Sequence, residues 1–251
     1  MSGLLDTLIK SPNVGPPKII VYGQPGVGKT SLAASAKAVL LDCENGAGAI
    51  PDLMRTPYLE RWPDIEQWLL ELAAKPAGQC PPVVAIDTAD WMVQRIAEYV
   101  VHDLGDDAGD DAGGDLTSTI GSSHGGYFKA REIIQNVVYR KLLPLLNRLS
   151  SKGSAILLLA HAANTKITTP EGFDQRLAAP DLPSWIMPPF IEWADCVMYA
   201  HKRDGTGERV LLAEGTNIIL AKNRYSMPAE IKLSWPAVMQ AITNKPKNKD
   251  K

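Results

Sequence analysis

The sequence predicts an α/β fold: a mostly parallel sheet covered by helices, with antiparallel strands added at the C-terminal end. Three observations carry this. First, residues 18–23, 38–42, 81–88 and 154–161 are apolar runs that read as strands buried on both faces, the type found in parallel sheets. Second, stretches with helical spacing of apolar residues separate these runs, and alternating β and α units build a doubly wound sheet. Third, from about residue 193 strand-like segments follow one another with no helix between them, which suggests antiparallel additions at the sheet edge.

The 251 residues suit one α/β domain with small additions, and 45% hydrophobic content is ordinary for a globular chain. No apolar run is long enough to cross a membrane, and the first residues lack a basic n-region and a continuous apolar h-region. Cys43, Cys80 and Cys196 are scattered, with no CxxC pair and no His at ligand spacing. Zinc is therefore not expected, and a reducing cytosolic compartment fits. A net charge of −2 gives no bulk attraction to nucleic acid, so any such binding must come from a local patch.

Residues 1–17 read as an N-terminal arm and linker. Leu4, Leu5, Leu8 and Ile9 form a short amphipathic segment, and the prolines and glycine that follow rule out a continuous helix. The arm is either a frayed terminus or a segment that docks on a neighbouring subunit. The core runs over residues 18–236, and residues 237–251 end in a Lys-rich tail expected to be disordered.

The first strand leads into Gly23-Gln24-Pro25-Gly26-Val27-Gly28-Lys29-Thr30-Ser31 and then a good helix sequence, which is the context a phosphate-binding P-loop requires. Its glycines can adopt dihedrals closed to other residues, so successive backbone N–H groups can turn inward around an anion, helped by the helix N-terminus. Lys29 is expected to reach the β- and γ-phosphates, and the Thr30 hydroxyl to ligate Mg²⁺. The expected cofactors are thus ATP and Mg²⁺.

The second strand ends in Asp42-Cys43-Glu44. Residues 64–75 have helical spacing with Asp64 as candidate N-cap. The third strand ends in Asp87, which looks like the Walker B carboxylate that holds Mg²⁺ at the C-terminal sheet edge. Many ATPases carry a catalytic Glu directly after this Asp; here Thr88 stands there, so Glu44 is the best candidate for the base.

A helix over 88–101 precedes the Asp/Gly-rich stretch 103–115, which cannot bury a core face and reads as a mobile loop. A long helix is expected over 129–149, kinked or broken at Pro144. The fourth strand ends in His161, and residues 162–190 read as a long loop carrying Lys166 and Arg176. Residues 193–201 and 208–212 flank a turn and read as a hairpin, with further strands at 217–224 and 229–235.

These landmarks together resemble the RecA-like recombinase ATPase core, over about residues 18–235. Asp42-Cys43-Glu44 is similar to that family's Asp-x-Glu segment, which implies that Glu44 is the catalytic base. Ile86-Asp87-Thr88 resembles its Walker B, and Ile120-Gly-Ser-Ser-His124-Gly-Gly126 resembles the segment beside its first DNA-binding loop. His161 takes the place of its γ-phosphate-sensing Gln. Lys222-Asn223-Arg224 is similar to its Lys-Asn-Lys, which contacts ATP from the neighbouring subunit, so Lys222 and Arg224 are implied to act in trans. In size the chain looks most like the core-only single-strand annealing recombinases of bacteriophages.

The resemblance implies a homo-oligomer, filament or ring, with ATP at the subunit interface and single-stranded DNA as partner; a single-strand-binding protein is a further implied partner. The acidic 103–115 stretch would repel a phosphodiester backbone. The residues expected to face DNA are therefore His124, Tyr127, Lys129 and Arg131, with Lys166 and Arg176 from the second loop. Tyr127 and Phe128 could stack on bases or pack at the helix start. Two other classes fit the P-loop: a RecA-fold helicase or loader, and a small-molecule kinase. The kinase is disfavoured because its lid is usually Arg-rich, whereas the candidate lid here is acidic.

Overall fold

The structure is a computed structural model, which describes residues 15–104, 120–121, 129–168, 172 and 174–244. Its described strands join in one sheet of ten. They are β1 (Lys18–Gly23), β2 (Val39–Asp42), β3 (Met54–Arg55), β4 (Val83–Asp87), β5 (Ala155–Thr168), β6 (Asp174–Pro180), β7 (Cys196–Lys202), β8 (Arg209–Leu212), β9 (Lys222–Asn223) and β10 (Glu230–Lys232). The order across the sheet is β10-β8-β7-β1-β5-β4-β2-β3. From β7 through β3 every pairing is parallel, while β8, β9 and β10 join antiparallel at the other edge. The sheet is therefore mostly parallel with antiparallel strands at the C-terminal end, as expected.

Period-two alternation divides the core between two layers. Ile20 and Tyr22 of β1 join a cluster under α2 (Trp62–Ala74), α3 (Ala89–Glu98), α4 (Lys129–Val137) and α5 (Leu143–Ser151). Ile19 and Val21 face the other way, onto α1 (Lys29–Ser35) and α7 (Trp235–Thr243). One short helix, α6 (Met187–Trp193), leads into β7. With both faces covered, the central strands lose nearly all contact with water, which is why they are apolar throughout.

The structure corrects several expectations. The 162–190 region is not one long loop. Strand β5 continues past His161 to Thr168 and pairs antiparallel with β6, and α6 begins at Met187. The Tyr22 hydroxyl lies 2.9 Å from the Ala178 carbonyl and 2.7 Å from that of Leu220, tying the returning arm down. The tail expected to be disordered from residue 237 is helical to Thr243. Val238, Ala241 and Ile242 are buried against α1, and the Trp235 N–H donates to Ser35 Oγ at 3.0 Å. The basic composition beyond it obscured that apolar face; residues 245–251, like the arm 1–14, lie outside the described residues.

Helix α2 starts at Trp62 rather than at an Asp64 cap, with Pro63 in its first turn, where a missing N–H costs nothing. Ahead of Pro144 the long helix widens into one π turn, Val138–Leu142. This absorbs the lost hydrogen bond without breaking the rod. In the 217–224 segment only Lys222–Asn223 is strand. The acidic residues 105–115 lie outside the described residues, and Asp103 pairs with Arg61 at 2.8 Å.

Candidate functional site

The parallel strands all end at one edge, and there the P-loop, Glu44, Asp87 and His161 meet. Register sets Gly23 beside His161, and Asp42 beside Asp87. Strand β5 lies between the P-loop strand β1 and β4, so His161 stands between the loop and the Asp87 carboxylate.

Gly23 closes β1 against β7, where a Cβ would run into the Ala200 carbonyl. Gly28 sits at φ 109°, a left-handed conformation that glycine adopts without strain. Lys29 is buried, and its ammonium donates to the Gly23 carbonyl at 2.9 Å and to that of Gln24 at 3.3 Å. Burial pushes its pKa down, while the Asp87, Glu44 and Asp90 carboxylates oppose that shift. A bound polyphosphate would offer this ammonium a stronger partner than neutral carbonyls. Beside it, the Thr30 hydroxyl donates to Asp87 Oδ2 at 2.7 Å. One hydroxyl and one carboxylate, completed by phosphate oxygens and water, fit the hard, oxygen-only demand of Mg²⁺.

Glu44 is placed by its neighbours. Asp42 Oδ1 accepts the Asn45 N–H at 2.7 Å, and its Oδ2 takes Arg55 Nη1 at 3.3 Å, which turns the chain sharply after β2. The Cys43 N–H donates to the Asp87 carbonyl at 2.8 Å, fixing that turn beside β4. Glu44 thus lines the P-loop cavity, of about 260 Å³, together with Lys29, Thr30, Asp87 and His161.

Not every member of the site was legible in the sequence. Asp90, in the first turn of α3, accepts the His161 backbone N–H at 3.0 Å and contacts Nδ1 at 2.8 Å. This grip holds the ring in one orientation, with Nδ1–H on Asp90 and Nε2 facing Glu44 Oε1 at 3.5 Å. His161 can then offer Nε2 as an acceptor when neutral or as a donor when charged. The only sequence signal was a carboxylate three residues after Asp87, which reads equally as ordinary first-turn charge.

Lys222 and Arg224 are not brought to this cavity. β9 pairs with the opposite end of β7, at Cys196 and Val197, whereas Gly23 pairs with Ala200. Lys222 Nζ donates to the carbonyls of Ile191 (2.7 Å), Glu192 (3.0 Å) and Ala194 (2.7 Å), which commits all three of its donors to the end of α6. Within this subunit Lys222 clamps a helix terminus. Arg224 is exposed, 3.4 Å from Asp195.

Of the residues expected at DNA, His124 and Tyr127 lie outside the described residues. Lys129 and Arg131 open α4, with Lys129 exposed and the Arg131 guanidinium over the Trp185 ring at 5.6 Å. Lys166 and Arg176 face each other across the β5–β6 hairpin.

Burial raises the Asp87 carboxyl to about 6, against the help of the Thr30 hydrogen bond. The folded chain therefore holds this proton more tightly than the unfolded chain does. Its contribution to stability is full below the unfolded value of 3.8 and is lost as pH rises through about 6. In the nucleotide-free protein D87N removes a buried charge while keeping an acceptor for Thr30. Denaturant titrations should then find D87N more stable than wild type at pH 8, by on the order of 2 kcal/mol, with the difference vanishing toward pH 4.

Among the described residues no helix is long and apolar enough to cross a membrane. A family model described as an AAA domain matches residues 15–225. No curated protein matches the chain. Among solved structures the chain is similar to the flagellar accessory protein FlaH from Methanocaldococcus jannaschii, at 13% identity over 87% of this chain and 85% of that one, with a TM-score of 0.42. The family match takes in the P-loop, Glu44, Asp87 and His161, and the chain belongs to the AAA domain family of P-loop ATPases.

Proposed function

We propose that this protein hydrolyses ATP, binds single-stranded DNA and promotes annealing or strand exchange in homologous recombination of the bacteriophage type. ATP–Mg²⁺ would be held by Lys29, Thr30 and Asp87 of one subunit, with Glu44 as the base that orients the attacking water. Mg²⁺, when bound, supplies charge neutralisation at the phosphates. Arg224 would complete the site from the neighbouring subunit, since its place at the far end of the sheet removes it from its own P-loop.

The observation that most supports DNA binding is the pairing of Lys166 with Arg176. Both are exposed, and like charges directly opposite on a hairpin repel unless an anion lies across them. Asp174, 2.6 Å from Lys166, offsets part of that charge. The hairpin arm is also the direct continuation of the strand that carries His161. A change at the γ-phosphate would reach the DNA-facing arm through one β-strand.

The test is ATPase activity with and without single-stranded DNA across a salt series. Stimulation is expected, with the log of the binding constant falling by about 0.7 per phosphate contact per log unit of salt. Neither stimulation nor salt-dependent binding would instead favour a P-loop kinase acting on a small molecule.

A further inference from the structure

The P-loop cavity has two ends, and the chemistry above uses one of them. Asp87 from β4, Glu44 after β2 and His161 from β5 all come from one side of β1, whereas β7 and β8 lie on the other. From that second side Arg209, the first residue of β8, reaches into the same cavity. Its Nη1 lies 3.0 Å and its Cδ 3.4 Å from where a Cβ on Gly28 would sit, so the side chain runs along the last turn of the loop.

The backbone of Arg209 is held on both sides, by Lys202 across the β7–β8 pair and by the Leu233 N–H on its carbonyl at 3.0 Å. Its guanidinium, by contrast, has no hydrogen-bond or ion-pair partner among the described residues. Arg203, just before the same hairpin turn, is bonded to both Glu208 and Glu230, so its charge is spent within the fold. Besides Lys29, Arg209 is the permanently cationic side chain lining the cavity, and Lys29 is buried while Arg209 is exposed.

A nucleotide whose γ-phosphate meets Asp87 and Glu44 must leave the loop by the opposite end, so that end receives the α-phosphate and the nucleoside. We infer that Arg209 is a nucleotide-binding residue that grips the α-phosphate side of ATP and ADP from within the subunit that owns the P-loop. The inference rests on the nucleotide-binding reading. It differs from the role of Arg224, which acts across an interface and only where a γ-phosphate is present. An α-phosphate contact survives hydrolysis, so Arg209 also holds the product ADP in place.

The test is calorimetric titration of the full chain with Mg²⁺–ADP and Mg²⁺–ATP for wild type, R209A, R209E and, as a loop control, K29A. R209A is expected to weaken both nucleotides by the same factor, roughly tenfold, as loss of an exposed charge-assisted contact predicts. R209E, with a carboxylate where the phosphate would lie, is expected to weaken both further, while melting of the nucleotide-free variants matches wild type. Unchanged ADP affinity in R209A, a loss confined to ATP, or equal affinities of R209A and R209E would overturn the inference. Wild type that binds nucleotide no better than K29A would instead bring down the nucleotide reading itself, and this inference with it.

Discussion

E44Q is expected to keep its affinity for ATP and to hydrolyse it roughly 10²–10⁴-fold more slowly than wild type. The substitution preserves size and leaves the Asp42–Asn45 turn intact, so the side chain stays beside Asp87 and His161. What it removes is the carboxylate proposed to accept the water's proton. Lys29, Thr30 and Asp87, proposed to carry nucleotide and metal, are untouched, so binding and turnover should separate. Steady-state phosphate release combined with nucleotide titration makes the comparison. Equal losses in both would assign Glu44 to binding; full activity would remove it from the chemistry.

R224A is expected to fall by about 10³ in turnover, the scale of an arginine finger supplied from a neighbouring subunit. Within the subunit the exposed Arg224 side chain donates to the Glu192 carbonyl at 3.2 Å and lies 3.4 Å from Asp195, both solvent-facing contacts, so its loss should scarcely alter folding. The loss should be matched by a loss of ATP-dependent assembly, measured by light scattering, because the proposed finger would bridge nucleotide and neighbour with the same guanidinium. If R224A kept both turnover and assembly, the shared site would be wrong. Lys222 is a poor probe of the same idea, since removing it strands three carbonyls at the end of α6.

Much of the site was legible because it is written in local order. Gly23 to Ser31 is a contiguous pattern, and Glu44, Asp87 and His161 each terminate an apolar run, so a parallel sheet had to gather them at one edge. Asp90 and Arg209 were not legible. Asp90 acts through a ring 71 positions away in sequence, and Arg209 sits in an unremarkable hairpin strand whose reach depends on strand order. The hairpin after His161 was hidden for a related reason: its arms carry polar residues, so no apolar run marks them. The clamp that Lys222 forms was not legible either, because a motif reports residue type and not the three carbonyls that hold its ammonium.

The most direct test of a site shared between subunits is to mix two inactive variants. E44Q lacks the base but keeps Arg224, and R224A lacks the finger but keeps Glu44. In an equal mixture of a closed or filamentous homo-oligomer, about a quarter of the interfaces join an intact Glu44 to an intact Arg224. ATPase activity should therefore reappear on mixing, to about that fraction of wild type. A mixture as inactive as its two components, with co-assembly confirmed, would contradict the account.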